Sequence, residues 1–283
     1  MRLHVCGTRG STPAPGAAFL RYGGHTSCVA LAHEGAPVSL LLDAGTGVRG
    51  VTALLGDQPF VGAILLGHLH WDHTQGLPFF RAGDRPDAQV DLYLPAQEGA
   101  AEAVLARGFS PPHFPISPGG LRGRWGFHSL EEGVHEVAGF EVRAREIPHK
   151  GGRTFGYRIS DGTASVAYLS DHHPATLGDG PQGFGPYHEA ACALASGVDV
   201  LFHDAQYLAS EWPDRRTFGH ATVDYAVGLA EAAGVRRLVL FHHDPGRTDE
   251  QIDALTTQAA AVCPVDVSAA AEGDEIALPS ADA

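Results

Sequence analysis

Lysine is almost missing from this chain. Lys150 is the only one in 283 residues, and all basic residues together number 19 against 33 acidic ones, a formal net charge of −14. Proteins that grip long nucleic acid without regard to sequence carry a basic footprint, because their affinity comes from neutralised phosphates. This composition excludes that mode of binding, while a small anion held by local cations is still allowed. Long apolar runs are also missing. The longest in the first half, Val61 to Leu66, falls far short of the roughly 20 residues a membrane helix needs. The N-terminal residues Met1 to Gly7 have no apolar core and no small-residue cleavage site, so secretion is not expected and a cytoplasmic location is. Cysteine is sparse: Cys6, Cys28, Cys192 and Cys263 lie far apart with no Cys-x-x-Cys. They read as reduced, half-buried thiols, not as a disulfide frame or a zinc knuckle. No stretch has the composition of an interdomain linker. One domain over residues 1–283 is expected, with 270–283 as an acidic C-terminal tail or edge strand.

What is abundant is histidine, 17 residues of it, a composition that suits a metal site or proton chemistry. With 44% hydrophobic and 18% charged residues the chain is globular. Short apolar runs bounded by Gly, Pro or Asp predict strands at Leu3–Cys6, Cys28–Leu31, Val38–Leu42, Ala63–Leu66, Val90–Leu94, Phe140–Ile147, Phe155–Ile159, Ser165–Leu169, Val198–Phe202 and Leu238–Phe241. Helices are expected over the alanine-rich Ala96–Arg107 and over His188–Ser196. A third is expected behind the cap Thr222, with Val223, Ala226, Val227, Ala230 and Ala233 on one face and Gly234 as the stop. Thr248 caps a last helix to about Val262, with Asp249 and Glu250 in its first turn.

The sharpest local pattern is His68-Leu69-His70-Trp71-Asp72-His73, directly after a buried strand ending in Gly67. In extended backbone, residues two apart face the same way, so His68 and His70 can reach one metal ion together. Asp72 and His73 fall where the chain turns and can face a second position. Three histidines and an aspartate in this arrangement make a satisfied-histidine or surface-loop reading improbable.

His-x-His-x-Asp-His resembles the signature of the metallo-β-lactamase-fold hydrolases, an α/β class built as a four-layer αββα sandwich of two mixed sheets flanked by helices. Asp43, in Leu42-Asp43-Ala44-Gly45, resembles the family's first motif, an aspartate that orients the histidine loop from behind. His149 in Ile147-Pro148-His149, Asp171 in Leu169-Ser170-Asp171 and His242 in Leu240-Phe241-His242 resemble the third, fourth and fifth motifs. The resemblance implies two divalent metal ions, Zn first and Mn or Fe as alternatives. His68, His70 and His149 would hold one ion, Asp72, His73 and His242 the other, and Asp171 would bridge them. His243 competes with His242 for the last position.

Within the family, His203-Asp204-Ala205-Gln206-Tyr207 and Gly219-His220-Ala221-Thr222 are similar to motifs of the ribonuclease Z-like branch, with Asp for Glu and Gln for Thr in the first. They imply that His220, oriented by Asp204, faces the scissile phosphate. The segments Gly7–Pro13 and Tyr22–Cys28 look like a bacterial subgroup of cyclic phosphate and cyclic nucleotide phosphodiesterases. That subgroup more often has Asn where His25 stands, and His25 is assigned no chemistry.

The expected activity is therefore that of a dinuclear phosphodiesterase. It would hydrolyse a small cyclic phosphate or cyclic nucleotide by attack of a metal-bridging hydroxide on phosphorus, with Asp72, His220 and Asp204 as the catalytic residues. The alternative is tRNA 3′ processing, though Pro115–Arg124 is too short and holds too few arginines to serve as a tRNA-binding arm. A thioester or lactam hydrolase and a non-catalytic binding module rank lower. Phe109-Ser110-Pro111-Pro112-His113-Phe114-Pro115 is a stiff loop that either packs on the surface or stacks on a base or ribose through Phe109, His113 and Phe114. Arg9, Lys150 and Arg153 are each either a phosphate contact or an exposed loop charge, the second being the preferred reading, and Arg9 is kept as a candidate substrate contact. The expected partner is a small phosphodiester, with no membrane and no stable nucleic-acid partner, and the branch resemblance implies a homodimer.

Overall fold

The computed structural model describes residues 1–278. Two seven-stranded sheets stack on each other. The first runs, in spatial order, β14 (Glu275–Ala277), β1 (Arg2–Gly7), β2 (Cys28–Ala32), β3 (Leu40–Leu42), β4 (Val61–Leu65), β5 (Gln89–Pro95) and β6 (Arg124–Leu130). The second runs β13 (Asp266–Ala269), β12 (Arg237–Phe241), β11 (Val200–Asp204), β10 (Ser165–Leu169), β9 (Phe155–Ser160), β8 (Phe140–Glu146) and β7 (Gly133–Val137). Each sheet is mixed in the same way. Antiparallel pairing from β14 to β3 gives way to parallel pairing from β3 to β6, and antiparallel pairing from β7 to β10 gives way to parallel pairing from β10 to β13.

Three apolar layers hold the stack together. Between the sheets lie Leu3, Leu31, Leu42, Leu65, Tyr157, Phe202 and Phe241. On the outer face of the first sheet, Leu41, Ile64 and Leu92 meet Val48 and Val51 of α1 (Val48–Leu54) and Leu105 of α3 (Ala101–Ala106). On the outer face of the second, Leu169, Leu201 and Leu240 meet Leu194 of α4 (Glu189–Ala195), Leu229 of α6 (Val223–Ala233) and Ile252 of α7 (Asp249–Val262). This is the four-layer αββα sandwich. Strands covered on both faces, such as β2, β3 and β11, are buried at every residue, whereas β1 and β8, less covered outside, alternate. Two one-turn helices, α2 (Trp71–Thr74) and α5 (Trp212–Arg215), lie at the edge where the parallel strands end.

The ten expected strands and the helices capped by Thr222 and Thr248 are present, Gly234 closing α6 in the left-handed conformation. The alanine-rich helix is shorter than expected: residues 96–100 are irregular, with Ala96 bonded to the carbonyl of Leu130 and Gly99 at φ +110°. Helix α1 and strands β6, β7 and β13 were not foreseen. Strand β6 is half-exposed along most of its length, so its residues carry no clean apolar alternation. The expected edge strand is β14, paired with β1; residues 279–283 of the tail lie outside the described residues. All four cysteines are free, but Cys28 is fully buried between β1 and β3, not half-buried. Among the described residues no helix is long and apolar enough to cross a membrane.

Candidate active site

Ligand-type side chains gather where both sheets end. Asp43 directly follows β3, Asp171 lies two residues beyond β10, Asp204 ends β11 and His242 follows β12. In open α/β sheets the carboxyl ends of parallel strands are where ligands bind, because loops converge there.

Asp43 is buried and holds a left-handed backbone, φ +61°, which aspartate tolerates better than most residues. Its carboxylate accepts from Gly67 N (2.7 Å), His73 Nδ1 (2.7 Å), Tyr168 Oη (2.8 Å) and Ser170 Oγ (3.3 Å). Asp43, which the family resemblance had singled out, thus holds Gly67 and His73 of the histidine loop; Tyr168 and Ser170 were not anticipated. The same logic repeats around the centre. His149 Nδ1 donates to the carbonyl of Gly219 at 2.6 Å, and His242 Nδ1 donates to Gln206 Oε1 at 2.9 Å. With Nδ1 engaged in each case, Nε2 of His73, His149 and His242 keeps its lone pair for an ion.

Asp171 stands between two donor groups. Its Oδ2 lies 3.0 Å from His73 Nε2 and 3.3 Å from His242 Nε2, while Oδ1 lies 3.5 Å from His149 Nε2 and 3.8 Å from His68 Nε2. His68, His70 and His149 converge as one group, and Asp72, His73, Asp171 and His242 as another. Asp72 Oδ2 also accepts from Ser11 N at 2.6 Å, and Ser11 itself adopts φ +62°. Gly10 is required here, since a Cβ at that position would collide with the His242 ring.

The arrangement was tested for fit to metal ions. His68 Nδ1 and Nε2, His73 Nε2 and both oxygens of Asp171 are buried with no hydrogen-bond partner. A buried polar atom without a partner costs about 1–3 kcal/mol, and these atoms cluster at one point. Nitrogen and carboxylate donors so arranged suit divalent cations of the Zn, Mn or Fe type. Burial, reinforced by His73, pushes His68 well below the usual imidazole range, and burial pushes His149 down to about 4. Burial alone would lower His73 as well, but Asp43, Asp72 and Asp171 outweigh it and raise it well above that range. Asp72 and Asp171 are held well below the usual carboxylate range: burial would raise both, and the neighbouring imidazoles of His73 and His242 prevail.

His242, not His243, faces this centre. His242 sits at φ +58° with Nε2 3.1 Å from Asp72 Oδ2. The His243 ring points the other way, bonds the carbonyl of Ala270 at 3.0 Å and packs edge-on against Tyr22. His172 and His173, neighbours of Asp171, also turn away, toward His203 and toward the carbonyl of Arg216.

His220 lies beside the donors, its Nδ1 3.6 Å from Asp171 Oδ1. Nδ1 donates to Asp204 Oδ2 at 3.0 Å, and that carboxylate also receives the backbone N–H groups of His172, Gln206 and Ala221. Nε2 is left for the cleft, a space of about 440 Å³ walled by His70, Trp71, Asp72, Asp171, Phe218 and His220. Lys150 is an exposed loop charge, as expected, and it also borders the same cleft. Its place at the cleft could not be read from sequence because the loop that carries it has no regular structure.

Three sequence expectations change. Arg9 is not a phosphate contact: it is wholly buried, donating to the carbonyls of Gly23 (2.7 Å) and Arg247 (2.7 Å), 3.8 Å from Asp249, with its guanidinium 5.1 Å from the Phe19 ring. The Gly-rich first loop wraps around it, which the sequence could not show. Phe109 is buried and supports Phe114 edge-on at 6.0 Å, so its own face is not offered to a ligand. His113 and Phe114 do border a groove next to the cleft. Arg153 is engaged by Glu146 (2.9 Å) and Glu131 (3.0 Å).

Asp43→Asn is expected to lower metal occupancy by roughly 10–100-fold in affinity, because outer partners of ligating histidines contribute that much. Equilibrium titration of the metal-stripped protein with Zn²⁺ checks this; affinity equal to wild type would show that the loop needs no anchor.

Two stacked mixed sheets, flanking helices and the His/Asp cluster at their common edge define a metallo-β-lactamase-fold hydrolase. A family model described as Beta-lactamase superfamily domain matches residues 39–243, and the chain belongs to that superfamily. Among relatives in sequence, ribonuclease Z of Lactococcus lactis subsp. lactis (strain IL1403) is 29% identical over 223 residues, covering 63% of this chain and 69% of that protein. Among solved structures, the metallo-β-lactamase fold protein YhfI from Bacillus subtilis superposes with TM-score 0.72 at 18% identity over 98% of this chain and 99% of that one. A diphosphatase from the PhnP family superposes with TM-score 0.71 at 21% identity over 98% of both chains. At these identities the structural likeness speaks for the fold.

Proposed function

We propose that this chain is a dinuclear metal-dependent phosphodiesterase acting on a small cyclic phosphate or cyclic nucleotide. The observation that carries the reading is His220, held from behind by the buried Asp204 and bordering the cleft beside the donor groups. His68, His70 and His149 would hold one ion and Asp72, His73 and His242 the other, with Asp171 between; zinc suits this nitrogen-rich set, with Mn or Fe as alternatives. Bound ions would supply Lewis acidity toward the phosphoryl oxygens and an activated water.

The chain's own residues do the rest. Asp72 is positioned by Ser11 N and His242 and accepts a hydrogen bond from the attacking water. Asp204 fixes the His220 ring, so that Nε2 is aimed at the phosphate or the leaving oxygen and donates a proton there. Lys150 at the rim adds a cation where the rest of the protein is acidic. Trp71 and Phe218 supply the aromatic part of the cleft wall.

The expected outcome is turnover of at least one compound in a panel of 2′,3′- and 3′,5′-cyclic nucleotides and ribose cyclic phosphates with added Zn²⁺ or Mn²⁺. No turnover of any phosphodiester, bis-p-nitrophenyl phosphate included, overturns the reading. The relatives named ribonuclease Z favour a second reading, cleavage of a tRNA precursor. Against it, residues 115–124 fold onto the first sheet, with Arg122 held by Asp84 at 2.9 Å, and form no projecting basic arm. Tight precursor-tRNA binding that weakens steeply with salt would favour that second reading.

A further inference from the structure

Two of the four cysteines face each other behind the metal donors. Strand β1 is bulged between Val5 and Gly7, so Cys6 and Gly7 together oppose Cys28 of β2. Both thiols lie on the outer face of the first sheet. Cys28, Ala30 and Ala32 belong to the apolar layer beneath α1, and Cys6 packs against that layer. Opposed residues of antiparallel strands have Cα atoms about 4.5–5.5 Å apart, within the roughly 4.4–6.8 Å that a disulfide spans. Burial raises the Cys28 thiol well above its ordinary range, and the Cys6 thiol beside it adds to the rise. Cys28 is wholly buried, whereas Cys6 is partly exposed, its Sγ 3.7 Å from the carbonyl of His4. Cys192 and Cys263 pack on the opposite side of the sandwich, against the outer face of the second sheet.

Both strand ends lead directly to Asp72. From Cys28 the chain runs back through Ser27 and Thr26, whose carbonyls accept from Gly45 N (2.9 Å) and Gly47 N (3.1 Å). Ala44 N donates to the His73 carbonyl at 2.8 Å. Gly45 lies so close to the Asp72 carbonyl that a Cβ there would collide with it. From Cys6 the chain runs through Gly7, where a Cβ would strike the Thr26 carbonyl, to Ser11, whose N–H holds Asp72 Oδ2. Segments packed without slack transmit a shift, so drawing β1 toward β2 disturbs the supports of Asp72.

We propose that Cys6 and Cys28 are a modification site, a thiol pair that closes reversibly to a disulfide under peroxide and thereby loosens the hold of the donor cluster on its metal. The Cys6 thiolate attacks one oxygen of hydrogen peroxide. The O–O bond breaks, hydroxide leaves, and Cys6 becomes a sulfenic acid. The Cys28 sulfur then attacks the Cys6 sulfur. The S–O bond breaks as the S–S bond forms, and the Cys28 proton departs with that oxygen as water. In sum two thiols lose two electrons and two protons, and one peroxide becomes two waters. Cys28 needs no contact with solvent, because its oxidised partner already lies beside it.

The experiment treats the zinc-loaded protein with a small excess of hydrogen peroxide and then with a phosphine reductant. Peptide mass mapping without reduction is expected to find the Cys6 and Cys28 peptides joined and lighter by two hydrogens, and titratable thiols are expected to fall from four to two. Competition with a chromogenic chelator is expected to show zinc held about tenfold more weakly, the low end of what losing a support of a metal ligand costs, and reduction is expected to restore it. In Cys6→Ser the oxidant is expected to form no link and to leave the zinc hold unchanged. Cys28→Ala removes the other partner, and there Cys6 is expected to persist as a sulfenic acid that dimedone traps. Cys6 over-oxidised in wild type while Cys28 stays a free thiol overturns the pair, as does equal dimedone trapping in wild type and Cys28→Ala. A link that leaves zinc held as before, or equal zinc loss in Cys6→Ser, overturns the coupling to the centre. Neither readout involves phosphodiester turnover, so absence of that activity leaves the outcome untouched.

Discussion

Asp171→Asn is expected to empty the centre of divalent metal and to lower kcat by about three orders of magnitude. Among the described residues Asp171 is the only carboxylate whose two oxygens face different histidine groups, Oδ2 toward His73 and His242 and Oδ1 toward His68 and His149. Asparagine keeps the volume but replaces one ligating oxygen by an amide N–H₂, which cannot coordinate, and removes the negative charge that offsets two cations. A metal ion contributes several kcal/mol of transition-state stabilisation, and about 4 kcal/mol corresponds to roughly 10³ in rate. Two measurements check this. Metal per chain after dialysis is expected to fall well below wild type. Added Zn²⁺ is expected to raise the melting temperature of wild type by mass action and to leave that of the variant nearly unmoved. A variant holding wild-type metal with wild-type kcat would show that Asp171 bridges nothing.

His220→Ala is expected to cost roughly 10²–10⁴ in kcat, the range of a positioned acid or base, with metal content unchanged. The loss should depend on the leaving group. For bis-p-nitrophenyl phosphate, whose phenolate departs without help, it should be small; for a ribose cyclic phosphate, whose alkoxide needs a proton, it should be large. Asp204→Asn should reproduce part of the loss, since it leaves the ring in place but replaces the charged acceptor of Nδ1–H, 3.0 Å away, by a neutral amide with only one accepting oxygen. His220 is also 3.6 Å from Asp171 Oδ1. A fall in metal content in His220→Ala would therefore reassign His220 from proton donor to ligand.

Much of this centre was legible because its parts are short in sequence. His68, His70, Asp72 and His73 lie within one strand end and one turn, so their mutual placement follows from backbone geometry alone. Asp43, Asp171 and His242 follow apolar strands closely, and the class of fold brings such strand ends to one edge. The αββα layering itself came from that resemblance. The periodicity of the chain predicted the buried strands, but not β6 and β7, which lack a buried alternating face.

The rest depends on directions that no local pattern encodes. Neighbouring residues His242 and His243 point to opposite sides, and the left-handed backbone at His242 decides which one meets Asp72. Arg9 and Lys150 looked alike as loop cations, yet the first is sealed under residues 244–249 and the second borders the cleft. The supports of the centre, Tyr168 on Asp43, Gln206 on His242 and Ser11 on Asp72, join residues 125, 36 and 61 positions apart. The sequence by itself determined which chemistry this protein carries, because ligand type and short spacing are properties of the chain. Only the tertiary structure decided which of several equivalent side chains perform it and what lies beside them, because those choices are made by packing between segments remote from one another.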